Sequence, residues 1–232
     1  MSKIVNMSAR ALAVLWIGLL CGSMATPLRG GEIRGRVLRQ SAYAPPTEIV
    51  SRSIILRYAS RQFESPHNGH AQHNENQVVV YLAGAPEAER AQPGVAIMDQ
   101  RNEQFIPHVL PVTIGTAVDF LNSEAVYHNV FSLSPAKTFD LGRYPQGQSR
   151  RVRFDRPGVV SVYCDIHTHM NAFILVLPTS HFTVADGEGN FILENVPAGN
   201  FELRVWNGRA PEFRQQITVR ENGVTEMNFV LP

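Results

Sequence analysis

The chain has 232 residues, of which 44% are hydrophobic and 18% charged, and its formal net charge is +1 at pH 7. This length is enough for one large or two small domains with an apolar core. The near-neutral charge excludes an ordinary nucleic-acid-binding protein, which would show a clear excess of basic residues.

The first 25 residues have the pattern of a secretory signal peptide. Lys3 and Arg10 precede an apolar run at residues 11–20, and small residues follow up to Ala25. The run is too short to span a bilayer comfortably, so we predict a cleaved signal at 1–25 and no membrane span after its removal. The protein is therefore expected in the periplasm or as a secreted protein.

Removal of this segment leaves one cysteine, Cys164, because Cys21 is lost with the signal. A single cysteine in an oxidising compartment cannot form an internal disulfide. Its thiol is open to oxidation unless it is buried, paired with another chain or bound to a metal. Cys164 is therefore the first candidate for a functional residue.

Beyond the signal, short apolar runs separated by Gly and Pro predict β-strands, and no amphipathic helix pattern stands out. The predicted strands cover residues 33–38, 54–58, 78–82, 109–114, 118–121, 159–163 and 172–177. Strands at this spacing are typical of β-sandwiches and barrels, so the predicted fold class is all-β.

Two breaks divide the strand pattern. Residues 83–94 have the Pro, Gly and charge content of a linker or long loop, and the pattern restarts after residues 178–180. We predict an N-terminal β-strand region at 31–93, a central domain at 94–178 and a small β-sandwich at 179–232. The N-terminal region is expected to add strands to the central sandwich or to form a small accessory unit.

Turn signals mark the C-terminal sandwich. Asp, Asn and Gly predict hairpins at residues 186–190 and 221–223, and a Pro-Ala-Gly turn lies at 197–199. The region resembles the carboxypeptidase regulatory-like domain, a small transthyretin-like sandwich, at Thr183, Asp186, Gly189, Phe191, Leu193, Val196, Pro197, Gly199, Phe201, Leu203, Val205 and Trp206. This resemblance implies a role in stability or interaction rather than in catalysis.

Residues that bind metals follow the strand at 159–163. The spacing C-x-x-H-x-x-M gives Cys164, His167 and Met170, and a histidine lies upstream after another predicted strand. Two imidazoles, one thiolate and a weak axial thioether are the ligands of a blue-copper centre, and soft sulfur ligands favour Cu(I). The predicted cofactor is one copper ion, held by His128, Cys164, His167 and Met170.

Each of these residues has an ordinary alternative when it is taken alone. Met170 fits a core position, His167 a surface imidazole, and Cys164 a small buried apolar residue. The combination, with one cysteine in the mature chain, favours a metal site. His169, which precedes Met170, is the alternative fourth ligand.

The same residues resemble the cupredoxins, in particular amicyanin and plastocyanin. The loop from Cys164 to Met170 has the short length of amicyanin loops, and residues 105–122 are similar to the cupredoxin line F-x-P-x-x-x-x-V-x-x-G-x-x-V-x-F-x-N. His128 and Asn129 resemble the family's ligand histidine and an asparagine that links the ligand loops through hydrogen bonds. The resemblance implies a Greek-key cupredoxin sandwich at about 94–178, in which Asn129 restrains the ligands.

The arrangement of a cupredoxin followed by a regulatory-like sandwich looks like exported proteins labelled methylamine-utilisation or plastocyanin-like. The chain departs from amicyanins at Thr168 and His169, where the family has a proline and an aromatic residue. In the family the loop histidine reaches the surface through an apolar patch on which partners dock. A polar pair at this place changes that docking surface.

The resemblance implies an exported protein that carries single electrons between redox partner proteins through one mononuclear copper. The alternative function is a periplasmic copper chaperone or store, favoured by His67, His70 and His73 at three-residue spacing. Composition otherwise indicates a solvated loop for these histidines. A third interpretation is an adhesion or carbohydrate-binding sandwich with a vestigial copper site.

Enzyme patterns are not evident in the sequence. A multicopper oxidase would have histidines on both sides of the cysteine, whereas Tyr163 and Asp165 flank Cys164. No phosphate loop or Ser-His-Asp pattern is present either. From the sequence we therefore predict that the protein is not an enzyme.

Overall fold

The computed structural model describes residues 30–39, 77–85, 94–208 and 212–231. The predicted signal at 1–25, the predicted strand at 54–58 and the histidines His67, His70 and His73 lie outside the described residues. Within the described ranges the secondary structure consists of strands, and the all-β prediction is confirmed. This part of the chain contains no helix that could cross a membrane.

In the described residues the strands are, in chain order, β1 Gly31–Arg39, β2 Val79–Ala83, β3 Val95–Arg101, β4 Gln104–Ile106, β5 Val109–Thr113, β6 Ala117–Asn122, β7 His128–Ser134, β8 Lys137–Tyr144, β9 Ser149–Arg153, β10 Gly158–Tyr163, β11 Asn171–Leu177, β12 Phe182–Val184, β13 Asn190–Val196, β14 Gly199–Trp206, β15 Phe213–Val219, β16 Val224–Glu226 and β17 Phe229–Leu231. They form four sheets, which pack into two β-sandwiches.

Strands β3 to β11 form the first sandwich, which we call the central sandwich. Its sheets have the strand orders β4-β3-β6-β9 and β5-β11-β10-β7-β8. Apolar residues alternate along β6, so that Val118 and Phe120 face inward, and Val160 and Ile174 meet them from the other sheet. β3 is parallel to β6 and β5 is parallel to β11, and parallel neighbours cannot be joined by a tight turn. The chain therefore passes several times from one sheet to the other between them.

The N-terminal strands β1 and β2 belong to the second sandwich, with β12 to β17. β1 pairs with β13, β16 and β17, and β2 pairs with β12 and β14. Gly35 of β1 permits this packing, because a Cβ atom there would lie 1.7 Å from the carbonyl oxygen of Met227. β1 and β2, the described strands of 31–93, therefore belong to the second sandwich, whereas the sequence led us to expect that this region extends the central sandwich or forms a small unit of its own. The partners of β1 lie as far as 192 residues along the chain, and a local apolar pattern does not identify such partners.

The predicted turns at 186–190 and 221–223 are present, but they do not close hairpins. The N–H of Asp186 donates to Asn190 O (2.9 Å), and that of Gly223 donates to Arg220 O (3.1 Å). However, β12 and β13 lie in different sheets, as do β15 and β16. The turn residues fix the local backbone and leave the pairing partner to the packing of the sandwich.

The two sandwiches meet through an apolar cluster, which we call the junction. Trp206 of β14 packs edge-to-face on Phe173 of β11, with ring centroids 5.6 Å apart. The buried cluster also contains Val79, Tyr81, Val109, Leu175 and Leu177. The hydroxyl of Tyr81 donates to Glu212, and burial together with this hydrogen bond raises the pKa of Tyr81 to about 12. The junction therefore combines apolar packing with a phenol that stays protonated at physiological pH.

His181 is a buried imidazole between β11 and β12. It is 8% exposed, and its Nε2 atom has no hydrogen-bond partner among the described residues. Burial lowers the pKa of His181 below its ordinary value of 6.5, so the unfolded chain binds this proton more readily than the folded protein. We therefore expect the free energy of unfolding to fall as the pH drops below about 6.5, by at most about 1.4 kcal/mol per pH unit from this one group.

The variant His181→Phe isolates this contribution, because it keeps an aromatic ring and removes the titrating nitrogen. The free energy of unfolding in urea is measured at pH 7.5 and pH 5.5 for both proteins. Because the two proteins differ only at residue 181, any difference in their pH dependence is assigned to His181. We expect the variant to lose less stability than wild type between the two pH values. An identical loss in both proteins would contradict the assignment to His181.

Candidate metal centre

Three potential metal ligands meet at one end of the central sandwich. In its sheet β10 lies between β11 and β7, and Tyr163 at the end of β10 pairs with Phe131 in the middle of β7. Because these strands are antiparallel, Cys164 immediately after β10 lies at the end of the sheet where β7 begins with His128. The loop that returns to β11 adds His167.

The geometry of the donor atoms fits a metal ion. The Nδ1 atoms of His128 and His167 are 3.1 Å apart and lie 3.8 Å and 3.9 Å from Cys164 Sγ. In the plane of the three atoms, the point equidistant from them is about 2.1 Å from each, within the bond lengths of about 2.0 to 2.3 Å that zinc makes with imidazole and thiolate. In the described part of the chain, this is the one group of three His, Cys, Asp or Glu residues close enough to share a metal.

The candidate ligands differ in how far they are buried. His128 and Met170 are 0% exposed and Cys164 is 3% exposed, whereas His167 is partly exposed. Burial is also the main cause that lowers the pKa of His167, which favours the neutral imidazole that binds metals. The sulfur of Cys164 is thus buried, while the imidazole of His167 connects the candidate centre with the surface.

The loop between β10 and β11 folds back on itself and brings Met170 to Cys164. The N–H of Cys164 donates to Met170 O (3.3 Å), and the N–H of Met170 donates to His167 O (2.9 Å). The side chains of Met170 and Cys164 belong to the same buried cluster. The position of Met170 is therefore compatible with the predicted axial thioether.

The ring of His169 packs edge-to-face on that of His167, with centroids 6.2 Å apart. The Nε2 atom of His169 lies 3.2 Å from Glu103 Oε2, and its side chain is 52% exposed. The cluster of close donor atoms does not include it. This arrangement favours Met170 over His169 as the fourth ligand.

Glu124 orients His128, and sequence reasoning missed it. Its Oε2 atom lies 2.9 Å from His128 Nε2, so an ionised carboxylate accepts the Nε2 proton and leaves the Nδ1 lone pair facing the other donors. Asn122 holds the preceding loop: its Nδ2 donates to Val126 O (2.8 Å), and its Oδ1 accepts the N–H of Glu124 (2.9 Å). An acidic residue in the short loop before a candidate ligand histidine was the available signal.

Asn129 does not link the ligand loops as the family resemblance implied. Its Nδ2 donates to Asp140 Oδ1 on β8 (2.7 Å), and its buried Oδ1 has no partner among the described residues. Asp165, the residue after Cys164, is engaged by Arg143 at 3.2 Å. Asn129 thus joins β7 to β8, because the charged acceptor lies on the neighbouring strand.

Comparison with known proteins adds fold-level similarity. No protein-family model and no curated protein matches the chain. Similar solved structures include a purple cupredoxin from Nitrosopumilus maritimus (22% identity, 35% of this chain and 99% of that chain, TM-score 0.33) and a reduced amicyanin mutant (21%, 42% and 98%, TM-score 0.34). A copper-containing nitrite reductase from Thermus scotoductus is a third (23%, 42% and 25%, TM-score 0.35). Likenesses at this level do not establish a family for the chain, and the regulatory-like resemblance of the second sandwich stays a prediction.

One of these structures corrects the prediction that the protein is not an enzyme. The copper-containing nitrite reductase is an enzyme, and its similarity to this chain is of the same order as that of the cupredoxins. The absence of oxidase and hydrolase motifs was therefore not sufficient to exclude enzymes. The match is too weak to show that this chain is an enzyme.

Proposed function

We propose that this chain is an exported blue-copper protein that carries single electrons between redox partner proteins through one mononuclear copper. The observation that carries the proposal is the triangle of two imidazole nitrogens and one thiolate sulfur formed by His128, His167 and Cys164. This is the trigonal donor set of blue-copper sites. Bound copper would supply a one-electron couple between Cu(II) and Cu(I).

The ligands are held before any metal arrives, which suits electron transfer. Glu124 fixes the tautomer of His128, and the hydrogen bonds between Cys164, His167 and Met170 close the second loop. Met170 would supply the weak axial thioether from its buried position. Because the donors already converge, little rearrangement of the protein is needed when the charge of the centre changes.

The surface around His167 supports contact with a partner protein. Val126 and Tyr127, just before His128, are 44% and 58% exposed, and Ile166, just before His167, is 36% exposed. Apolar side chains of this size at the surface are the type that protein interfaces bury. In the proposed function a redox partner covers these residues and approaches the exposed edge of His167.

Titration of the purified exported protein with Cu(II) tests the proposal. We expect one copper per chain and an intense absorption band near ~600 nm from thiolate-to-copper charge transfer. A mild reductant should bleach the band and re-oxidation should restore it, with one electron per copper. A protein that holds copper without this band would instead support the copper chaperone or store, and a protein that binds no copper would leave neither function standing.

A further inference from the structure

The turn between β3 and β4 has an unusual residue at its tip. Arg101 and Gln104 pair across the hairpin, and the two residues between them, Asn102 and Glu103, have φ values of 53° and 51°. Two-residue hairpin turns with two positive φ values favour Asn followed by Gly, because Gly has no Cβ. Glu103 therefore occupies a left-handed backbone position at a cost that glycine would avoid.

Glu103 contacts both loops that carry the proposed ligands. Its backbone N–H donates to Glu124 Oε2 (2.8 Å), the same oxygen that lies 2.9 Å from His128 Nε2. Its own carboxylate lies 3.2 Å from His169 Nε2. His169 is separated from His167 by one residue and is followed directly by Met170.

We propose that Glu103 is a positioning residue for the metal centre. Its N–H holds Glu124 against His128, and its carboxylate holds His169 and thereby the loop from His167 to Met170. The inference rests on the proposed function, because it assigns Glu103 a role in that same site. Glu103 belongs to the opposite sheet from β7, β10 and β11, so it ties both ligand loops to a third, independent part of the sandwich.

The expected effect is on the metal rather than on the fold. The carboxylate of Glu103 and the ring of His169 are both about half exposed, and exposed ion pairs of this kind add little to stability. Partners that orient metal ligands typically change metal affinity by about 10- to 100-fold. Glu103 contacts none of the proposed ligands directly: its carboxylate contacts His169, the neighbour of Met170, and its N–H contacts Glu124, the partner of His128. We therefore expect a smaller change in metal affinity, of about 3- to 10-fold.

Two glycine variants in the same turn separate the loss of the Glu103 side chain from the general effect of a glycine in this turn. Glu103→Gly keeps the N–H to Glu124, suits the positive φ and removes the carboxylate. Asn102→Gly changes the neighbouring exposed residue, which also has positive φ, and serves as the matched control. Glu103→Gln keeps an oxygen acceptor for His169 and is expected to show an intermediate effect.

Copper release to a chelator, the charge-transfer band and the thermal unfolding of the metal-free proteins are measured for all three variants. Glu103→Gly is expected to release copper about 3- to 10-fold faster than wild type and to shift the band, without a lower unfolding temperature of the metal-free protein. Asn102→Gly is expected to match wild type in release rate and band. Copper release by Glu103→Gly at the wild-type rate would overturn the inference. An unfolding temperature of metal-free Glu103→Gly below that of the metal-free wild type would also overturn it, because it would assign Glu103 to the fold.

A second readout does not depend on copper. In the metal-free protein, the ring resonances of His128 and His169 are compared by NMR between wild type, Glu103→Gly and Asn102→Gly. Loss of the Glu103 carboxylate predicts a shift of the His169 ring in Glu103→Gly alone, and an unchanged His169 ring would overturn the inference. The His128 ring serves as the reference, because Glu103→Gly keeps the N–H that holds Glu124. If wild type fails to bind copper, the proposed function fails, whereas this comparison still decides whether the carboxylate of Glu103 positions His169.

Discussion

Copper added to the Cys164→Ser variant is expected to leave the protein colourless. The intense band arises from electron transfer from a thiolate sulfur to copper, and a serine hydroxyl remains protonated at neutral pH and supplies no such donor. His128 and His167 would remain as an incomplete site, so copper affinity is expected to fall by 100-fold or more, on the order of 3 kcal/mol or more of binding free energy. Absorption spectra and chelator competition on both proteins measure the two effects.

The fold of this variant is expected to survive, because serine is close to cysteine in size. Cys164 is nevertheless 3% exposed within the core, so burial of a hydroxyl there is expected to cost about 1 to 3 kcal/mol. Ala172→Ser is the matched control, since Ala172 is 0% exposed in the same cluster and is not among the donors. The control should lose comparable stability and keep the band. An intense band in Cys164→Ser would show that the sulfur of Cys164 does not bind the copper.

Removal of the Trp206 ring is expected to uncouple the two sandwiches. Trp206 is 8% exposed and packs on Phe173, so Trp206→Ala leaves a cavity at the centre of the junction. Truncation of a buried tryptophan typically lowers the free energy of unfolding by about 3 to 5 kcal/mol. Because Phe173 lies on β11 of the central sandwich, loss of the Trp206 ring is expected to weaken the contact between the second sandwich and the central one.

Denaturant unfolding followed by far-UV circular dichroism and by the copper band measures this uncoupling. In wild type we expect the two signals to change together. In Trp206→Ala the circular dichroism should begin to change before the copper band is lost. Ile192→Ala, at a position on β13 that is 53% exposed, is the control and should stay within about 0.5 kcal/mol of wild type. Coincident transitions with an unchanged midpoint in Trp206→Ala would contradict a coupling role of the junction.

The donor residues could be predicted from the sequence because their placement is largely local. A strand ending at Tyr163 followed by C-x-x-H-x-x-M places Cys164 and His167 on one short loop whatever the rest of the chain does. The alternation of buried and half-buried residues along Ala117–Asn122 made β6 visible in the same way. The strand β8 was missed because all but its last residue are exposed or half-buried, which leaves no apolar alternation to detect.

The residues that support the donors depend on contacts distant in the chain and could not be predicted in this way. Glu103 reaches Glu124 across 21 residues, through a turn whose positive φ values the sequence does not favour for glutamate. Asn129 meets Asp140 because β8 pairs with β7, and β8 was not predicted from the sequence. The sheet partners of β1 are fixed only when the last strands of the chain are in place.

The pairing of β2 with β12 makes the central sandwich an insertion within the second one, which affects the order in which the two sandwiches can fold. Phe182 lies opposite Tyr81, so the chain enters and leaves the inserted unit at adjacent strands. Residues 94–177 form a contiguous segment that is synthesised before the last strands of the chain, whereas β1 can pair with β17 only after Phe229–Leu231 has been synthesised. Once the inserted unit has folded and joined its two ends, the loop that separates β2 from β12 is effectively short, and the entropy lost on pairing them is correspondingly smaller.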